Sequence, residues 1–211
     1  EDHGEDLIQR LRGMFAFALW DATSKRLLLA RDRVGIKPLY VYRDADMVVF
    51  GSEIKAILAH PEVPRDLHLP ALEGYLAYGC TSGAESIFRR IEKLLPAHVL
   101  ALTAVDLHRR ARRYWQLPVR PDPQPSIGEW REAIVAKVEE TVRLHLMSDV
   151  PVGAFLSGGL DSSVIVSTAA AIFLASSFLV RSAFARSAQC FFLSTPAKPD
   201  GRAATAKILS K

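Results

Sequence analysis

Seven consecutive residues, Ser157-Gly158-Gly159-Leu160-Asp161-Ser162-Ser163, put three hydroxyls, two adjacent glycines and one carboxylate together. Adjacent glycines let a backbone bend tightly and approach a ligand closely. A helix starting here would aim unpaired N–H groups and the positive end of its dipole at the turn. With the serine hydroxyls, those amides would make a concave donor surface suited to phosphate oxygens. Asp161 repels phosphate unless a hard cation such as magnesium sits between them. The competing reading of any Ser-Gly-Gly is a flexible turn that binds nothing. The stretch is not a Walker loop: the G-x-x-x-x-G-K-[ST] spacing is absent and no Lys falls inside it.

The flanks supply the elements that would hold such a loop. Pro151 to Leu156 is an apolar run that reads as a strand, and an uncharged run rich in small and branched residues follows the loop. Upstream, Ser126 and Glu129 form a capping box that opens a long helix ending near Met147 to Asp149. Trp130, Ile134, Val138, Val142 and Leu146 recur at every fourth position of that helix as one apolar stripe. Helix, strand, loop, helix is the opening of an α/β domain with a parallel sheet. Ser162 to Val180 carries no charge and approaches the length of a membrane span, with basic residues after it. Its serines, its threonine and its continuity with the loop favour a buried helix instead. Beyond about Ala171 the text turns basic, Ser/Ala-rich and poorly periodic, and announces no further strand–helix unit.

Residues 1–116 have a different grain. Met14 to Trp20 alternates small and large residues, which predicts a strand covered on both faces. It pairs with Leu27 to Ala30 across the polar turn 21–25. Leu39 to Tyr42 and Met47 to Phe50 form a second hairpin. Between the hairpins, Arg31 to Pro38 reads as an ordered loop in which Arg31 and Asp32 form a structural ion pair. Ser52 is a candidate N-cap for a short helix over 53–59, with Glu53 as its first-turn acid. Pro70 suits the first turn of a helix over 71–78. Ile87-Phe88 and Val99 to Leu102 complete the strands. This is an α+β pattern. Residues 117–125 hold four prolines in nine positions and form a semi-rigid linker.

Composition bounds the function. At 211 residues, 49% hydrophobic and 24% charged, the chain has an ordinary globular make-up. A net charge of +4 is too small to argue for nucleic acid. Cys80 and Cys190 have no metal-site or disulfide spacing and suit a reducing cytosol. Cys80 reads as a small apolar residue. His60, His68, His98, His108 and His145 are scattered, which suggests no metal site. The acidic start, Glu1 to Asp6, is no signal peptide. Together these predict a cytoplasmic protein with no membrane or nucleic-acid partner.

Several segments together resemble the glutamine-dependent asparagine synthetases. The loop 157–163 looks like the pyrophosphate loop of the N-type ATP pyrophosphatases. Leu146 to Gly153 is similar to the segment that introduces it in this family. Leu11 to Asp21, Ala30 to Tyr40 and Ser52 to Ala56 resemble the family's glutaminase domain. Arg112 to Trp115 resembles its strand near the domain junction. The resemblance runs from about residue 5 to 170. It implies an incomplete αββα (Ntn) glutaminase domain over 1–116, the linker 117–125, the start of an α/β parallel-sheet ATP-pyrophosphatase domain over 126–170, and a divergent tail over 171–211.

The implied reaction is ATP-dependent amidation of aspartate, with glutamine as amide donor and AMP and pyrophosphate released. The implied cofactors are ATP and magnesium. Phe155, Ser157, Gly158, Gly159, Leu160, Asp161, Ser162 and Ser163 would bind ATP and pyrophosphate. Phe155 stands where the family has an aliphatic residue whose backbone meets the adenine, and Asp161 would bear on the metal. Full-length members would pair as homodimers. No glutaminase nucleophile is carried over, because the chain starts at Glu1, downstream of the family's N-terminal cysteine. The expected chain is therefore an internal piece, inactive alone. The alternatives are a non-catalytic ATP-binding or regulatory remnant, or part of a related amidotransferase with another carboxylate acceptor.

Overall fold

The structure is a computed structural model and describes residues 6–119, 125–148, 152–175 and 189–193. The chain divides into two compact units, Glu1–Arg120 and Pro121–Lys211. Most of the proline-rich linker, the Asp149–Pro151 approach to the loop and most of the basic tail lie outside the described residues.

In the first unit, β1 (Ala16–Asp21), β2 (Arg26–Arg31), β6 (His98–Thr103) and β7 (Arg112–Arg113) form one antiparallel sheet in that order. A second antiparallel sheet runs β4 (Val48–Gly51), β3 (Tyr40–Arg43), β5 (Ile91–Lys93). Period-two alternation sorts the side chains of the central strands. Leu28 and Ala30 of β2 join Val99 and Ala101 of β6 on one face, with Ile8 of α1 (Leu7–Arg10) and Tyr114. Leu29, Leu100 and Leu102 point the other way and meet Val41 of β3, Leu39 and Leu94 between the two sheets. Tyr42 and Ile91, on the far face of the second sheet, pack with Ile57 of α2 (Ile54–Ile57) and Val63. Two facing sheets thus share one apolar seam, and each outer face has its own cover. That burial on both sides explains why Leu27–Ala30 and Val99–Leu102 are uninterrupted apolar runs. Between α2 and β5 lies α3 (Leu69–Tyr78), with Pro70 in its first turn and Gly79 closing it at φ +72°.

Several expectations need correction here. β1 is not covered on both faces. It forms an edge of its sheet, Ala18 to Asp21 are exposed, and Trp20 is 58% exposed. Its small–large alternation therefore marks one packed end, where Phe15 and Phe17 lie 5.6 Å apart against the Ile8 cluster. Ser52 does not cap α2. Glu53 holds the extended N-cap position with no side-chain cap bond, and the helix is a single turn. The strand expected at Ile87-Phe88 lies at Ile91–Lys93. Phe88 makes only an isolated bridge to Leu67, because Tyr40 to Tyr42 take Ile91 to Lys93 as partners.

The second unit contains α4 (Ile127–His145), β8 (Val152–Leu156), α5 (Leu160–Ala175) and β9 (Gln189–Leu193). The capping box is present: Ser126 Oγ accepts from Glu129 N at 3.3 Å, and Ser126 N donates to Glu129 Oε2 at 2.8 Å. Of the expected stripe, Val142 is buried against Ala169 of α5, with Val138, Leu146 and Ile172 beside them. Trp130 and Ile134 are more than half exposed, because the first half of α4 has no packed neighbour among the described residues. The pairing of β8 corrects the parallel-sheet expectation. Its partner among the described residues is β9, and the pair is antiparallel, Val152 opposite Leu193 and Leu156 opposite Gln189. The chain enters β9 beside the C-terminal end of β8, and that point of entry sets the direction. An apolar run in a sequence carries no such direction. Among the described residues no helix is long and apolar enough to cross a membrane.

Candidate phosphate-binding loop

The loop sits where β8 ends and α5 begins. Gly158 takes φ +82°, the left-handed region that L side chains rarely adopt, and reverses the chain. Gly159 then serves the first turn of α5: its carbonyl accepts from Ser163 N at 3.1 Å, Ser163 Oγ at 2.8 Å and Ser162 Oγ at 3.1 Å. Ser157 Oγ lies 3.0 Å from Ser162 Oγ and accepts from Gly159 N at 3.4 Å. Three hydroxyls are thereby gathered around one turn. The geometry of a helix start leaves the N–H groups of Leu160, Asp161 and Ser162 without acceptors inside the helix. A Cβ at Gly158 would meet nothing within 4 Å, so the space over the turn is open.

Of the eight residues singled out, Ser157, Gly158, Gly159, Ser162 and Ser163 come together in this network. Phe155 stands on β8 and is 81% exposed, and Leu160 is 80% exposed. Asp161 lies in the exposed first turn, where a carboxylate is favoured by the helix dipole. It takes no part in the serine network. Among the described residues no three His, Cys, Asp or Glu side chains gather to hold a metal. A cation here would therefore rest on Asp161 and on the ligand's own phosphate oxygens, a donor set magnesium accepts. An apolar cavity of about 530 Å³ lies between α4, β8 and α5, lined by Val142, Val152 and Ile165 among others. It is separate from the loop residues and offers no anion donors like theirs.

The ordered loop of the first unit is built differently from the expectation. Arg31 and Asp32 do not pair with each other. Arg31 donates to three carbonyls: Nε to Lys37 at 2.8 Å, Nη1 to Leu94 at 2.7 Å and Nη2 to Gly35 at 2.8 Å. Asp32 is fully buried and accepts from Val34 N and Ile36 N on Oδ1, at 3.2 and 3.0 Å, and from Lys37 N on Oδ2 at 2.9 Å. Burial alone would raise the Asp32 pKa. The amides around the carboxylate outweigh it and hold the group below its ordinary value. Gly35 closes the loop at φ +71° against Pro96. Tyr114 Oη donates to Arg31 O at 2.8 Å, tying the residue just after β7 to the same loop. Sequence reasoning missed these main-chain partners, because an Arg-Asp dipeptide advertises a charge pair and not the carbonyls and amides around it. Cys80 is a free cysteine with an exposed side chain.

The family described as a glutamine amidotransferase domain matches residues 1–115, and the family described as asparagine synthase matches residues 133–205. The chain is 38% identical over 170 residues to the Bacillus subtilis asparagine synthetase [glutamine-hydrolyzing] 3, covering 80% of this chain and 27% of that protein. It is 37% identical over 171 residues to a putative asparagine synthetase [glutamine-hydrolyzing] 2 of Methanocaldococcus jannaschii, covering 77% of this chain and 32% of the relative. It is also 34% identical to the amidase chyE of Penicillium rubens, covering 77% and 24%. The chain thus spans about a quarter to a third of the length of these curated relatives. With both domain families matched in order and these relatives alongside, the chain belongs to the glutamine-dependent asparagine synthetase family.

Proposed function

We propose that this chain is part of a cytoplasmic asparagine synthetase that takes its amide nitrogen from glutamine and activates aspartate with ATP. In this reading the first unit is an Ntn-type αββα glutaminase region, supported by its two facing antiparallel sheets with helices outside. The second unit opens the adenylating domain. The observation that carries the reading is the turn at Gly158, φ +82°, which joins β8 to a sixteen-residue helix and gathers Ser157, Ser162 and Ser163 around it.

Each residue has a stated task. The N–H groups of Leu160, Asp161 and Ser162 and the three hydroxyls hold the phosphate oxygens of ATP and then the leaving pyrophosphate. Because their positions are fixed beforehand, they stabilise charge as it develops without reorganising. Asp161, together with the phosphates, would hold magnesium. When bound, magnesium offsets the negative charge of the pyrophosphate. The Phe155 backbone lies along the path to the adenine.

The test is calorimetric titration of the purified chain with pyrophosphate and with ATP, each with magnesium. Saturable binding of both, lost in the Ser162→Ala/Ser163→Ala double variant, is expected. No AMP release is expected from the chain alone with aspartate and either ammonia or glutamine. Equal binding by parent and double variant would overturn the assignment of the loop, and clear turnover would overturn the inactivity of the chain. The likeness to the amidase chyE supports a second reading, a relative with a different carboxylate acceptor. Adenylation of other carboxylates but not aspartate, by the chain joined to the remainder of its protein, would favour it.

A further inference from the structure

The two sheets of the first unit end in β1, β7, β4 and β5, and these edges are not alike. β7 carries the exposed Arg112 and Arg113, and β5 carries Glu92 and Lys93. Charge on an edge strand discourages another chain from pairing with it. β4 is four residues long and has α2 packed beside it. β1 has six residues, and its single charge, Asp21, stands at the last of them.

The backbone of β1 has groups left over. Phe15 O accepts from Asp32 N at 2.8 Å, one step beyond the register that pairs Ala16 with Arg31. Amide groups alternate sides along a strand, so Phe17, Leu19 and Asp21 turn theirs to β2. Ala16, Ala18 and Trp20 turn theirs outward, and these N–H and C=O groups have no partner among the described residues. Leu19 and Trp20 are also exposed. Ala16 packs on the Leu29 side of the sheet and Phe17 on the Ile8 side, so Trp20 belongs to the first face and Leu19 to the second.

The strand is complementary to itself about Ala18. Lay it antiparallel against a second β1, with the two Ala18 residues opposite each other. Ala16 then meets Trp20, and Phe17 meets Leu19. Small faces large on one side of the sheet, and apolar faces apolar on the other. Every outward N–H of one copy finds an outward C=O of the other. Asp21 falls opposite Phe15, so no like charges are opposed.

We infer that β1 is an interaction edge and that its partner is β1 of a second copy of this chain, joined about a two-fold axis between the two Ala18 residues into one continuous sheet. The pairing consumes both free edges, so assembly stops at the dimer. It does not depend on the serine loop.

Light scattering after size exclusion, over a wide range of concentration, measures the mass of the chain, and amide exchange at high and low concentration locates the contact. A monomer–dimer equilibrium is expected, with the Ala16, Ala18 and Trp20 amides protected only at high concentration. Ala18→Pro removes the donor at the axis from both copies and spares the β1–β2 ladder, in which the Ala18 N–H takes no part. It is expected to weaken the dimer by about tenfold or more. Ala18→Lys sets like charges opposite each other at the axis and is expected to weaken it as well. Val105→Lys adds the same charge at an exposed turn residue of the same unit and is expected to stay within about twofold of the parent. A chain that stays monomeric, growth past the dimer, fast exchange of the three amides within the dimer, or a dimer that survives both Ala18 variants would each overturn the inference.

Discussion

Replacing Asp32 by Asn isolates the group on which the loop 31–38 is built. The side chain is completely buried, and its two oxygens serve Val34, Ile36 and Lys37. Asn keeps one oxygen for Val34 and Ile36. It turns the other into an NH2 group that faces Lys37 N, so two donors meet where an acceptor stood. One charge-assisted bond is lost and buried donors are left unmet, an expected cost of about 3 kcal/mol. For a unit of this size that lowers the melting temperature by about 10 °C. Calorimetric melting of the chain measures it, and amide exchange at Val34, Ile36 and Lys37 locates it. The pH dependence follows from the depressed pKa of the native carboxyl. Its contribution is complete above the unfolded value of about 3.9 and fades as pH falls through the lower, folded value. Parent and variant should therefore converge in acid, below about pH 4. Asp46→Asn, an exposed change of equal charge in the same unit, controls for net charge. A variant that melts with the parent, or a difference that does not shrink in acid, would refute the reasoning.

Two further perturbations test the frame around the sites. Gly35→Ala forces a side chain into φ +71° and puts Cβ 2.7 Å from Pro96 Cγ, next to the Arg31 guanidinium. An expected loss of about 2–3 kcal/mol, read from the urea midpoint of the first unit, combines left-handed strain with overpacking. Ser126→Ala removes the cap of α4 and should cost the second unit about 1 kcal/mol, with earlier exchange of the first-turn amides. Substituting Thr at the same position should restore most of it.

How much could be read beforehand depends on whether the cause was local. The box at Ser126 and Glu129 is a four-residue event, and its bonds are those the spacing predicts. Both hairpins were legible because their turns carry their own acceptors: Asp21 takes Thr23 N, and Asp44 takes Asp46 N and Met47 N. The strand–turn–helix frame of the serine loop was legible for a similar reason, since glycines and an apolar strand mark it within a dozen residues. What escaped depends on partners far along the chain. Arg31 finds Leu94, sixty-three positions away, and nothing beside Arg31 announces it. The stripe on α4 is real, yet which half of it packs is decided by Ala169 and Ile172. The direction of β8 pairing is set by where β9 enters.

The tie from Tyr114 to Arg31 has a temporal side. The contact spans eighty-three positions, and Ala97 N also donates to Asp32 O across a similar gulf. During synthesis the two hairpins at 16–51 leave the ribosome long before β6, β7 and Tyr114 exist to meet them. Their apolar faces must wait, since non-local pairings form slowly and leave strand edges open meanwhile. The first unit is thus completed from its C-terminal end. A ribosome pause just before Tyr114 has emerged would hold the nascent chain in its most aggregation-prone state.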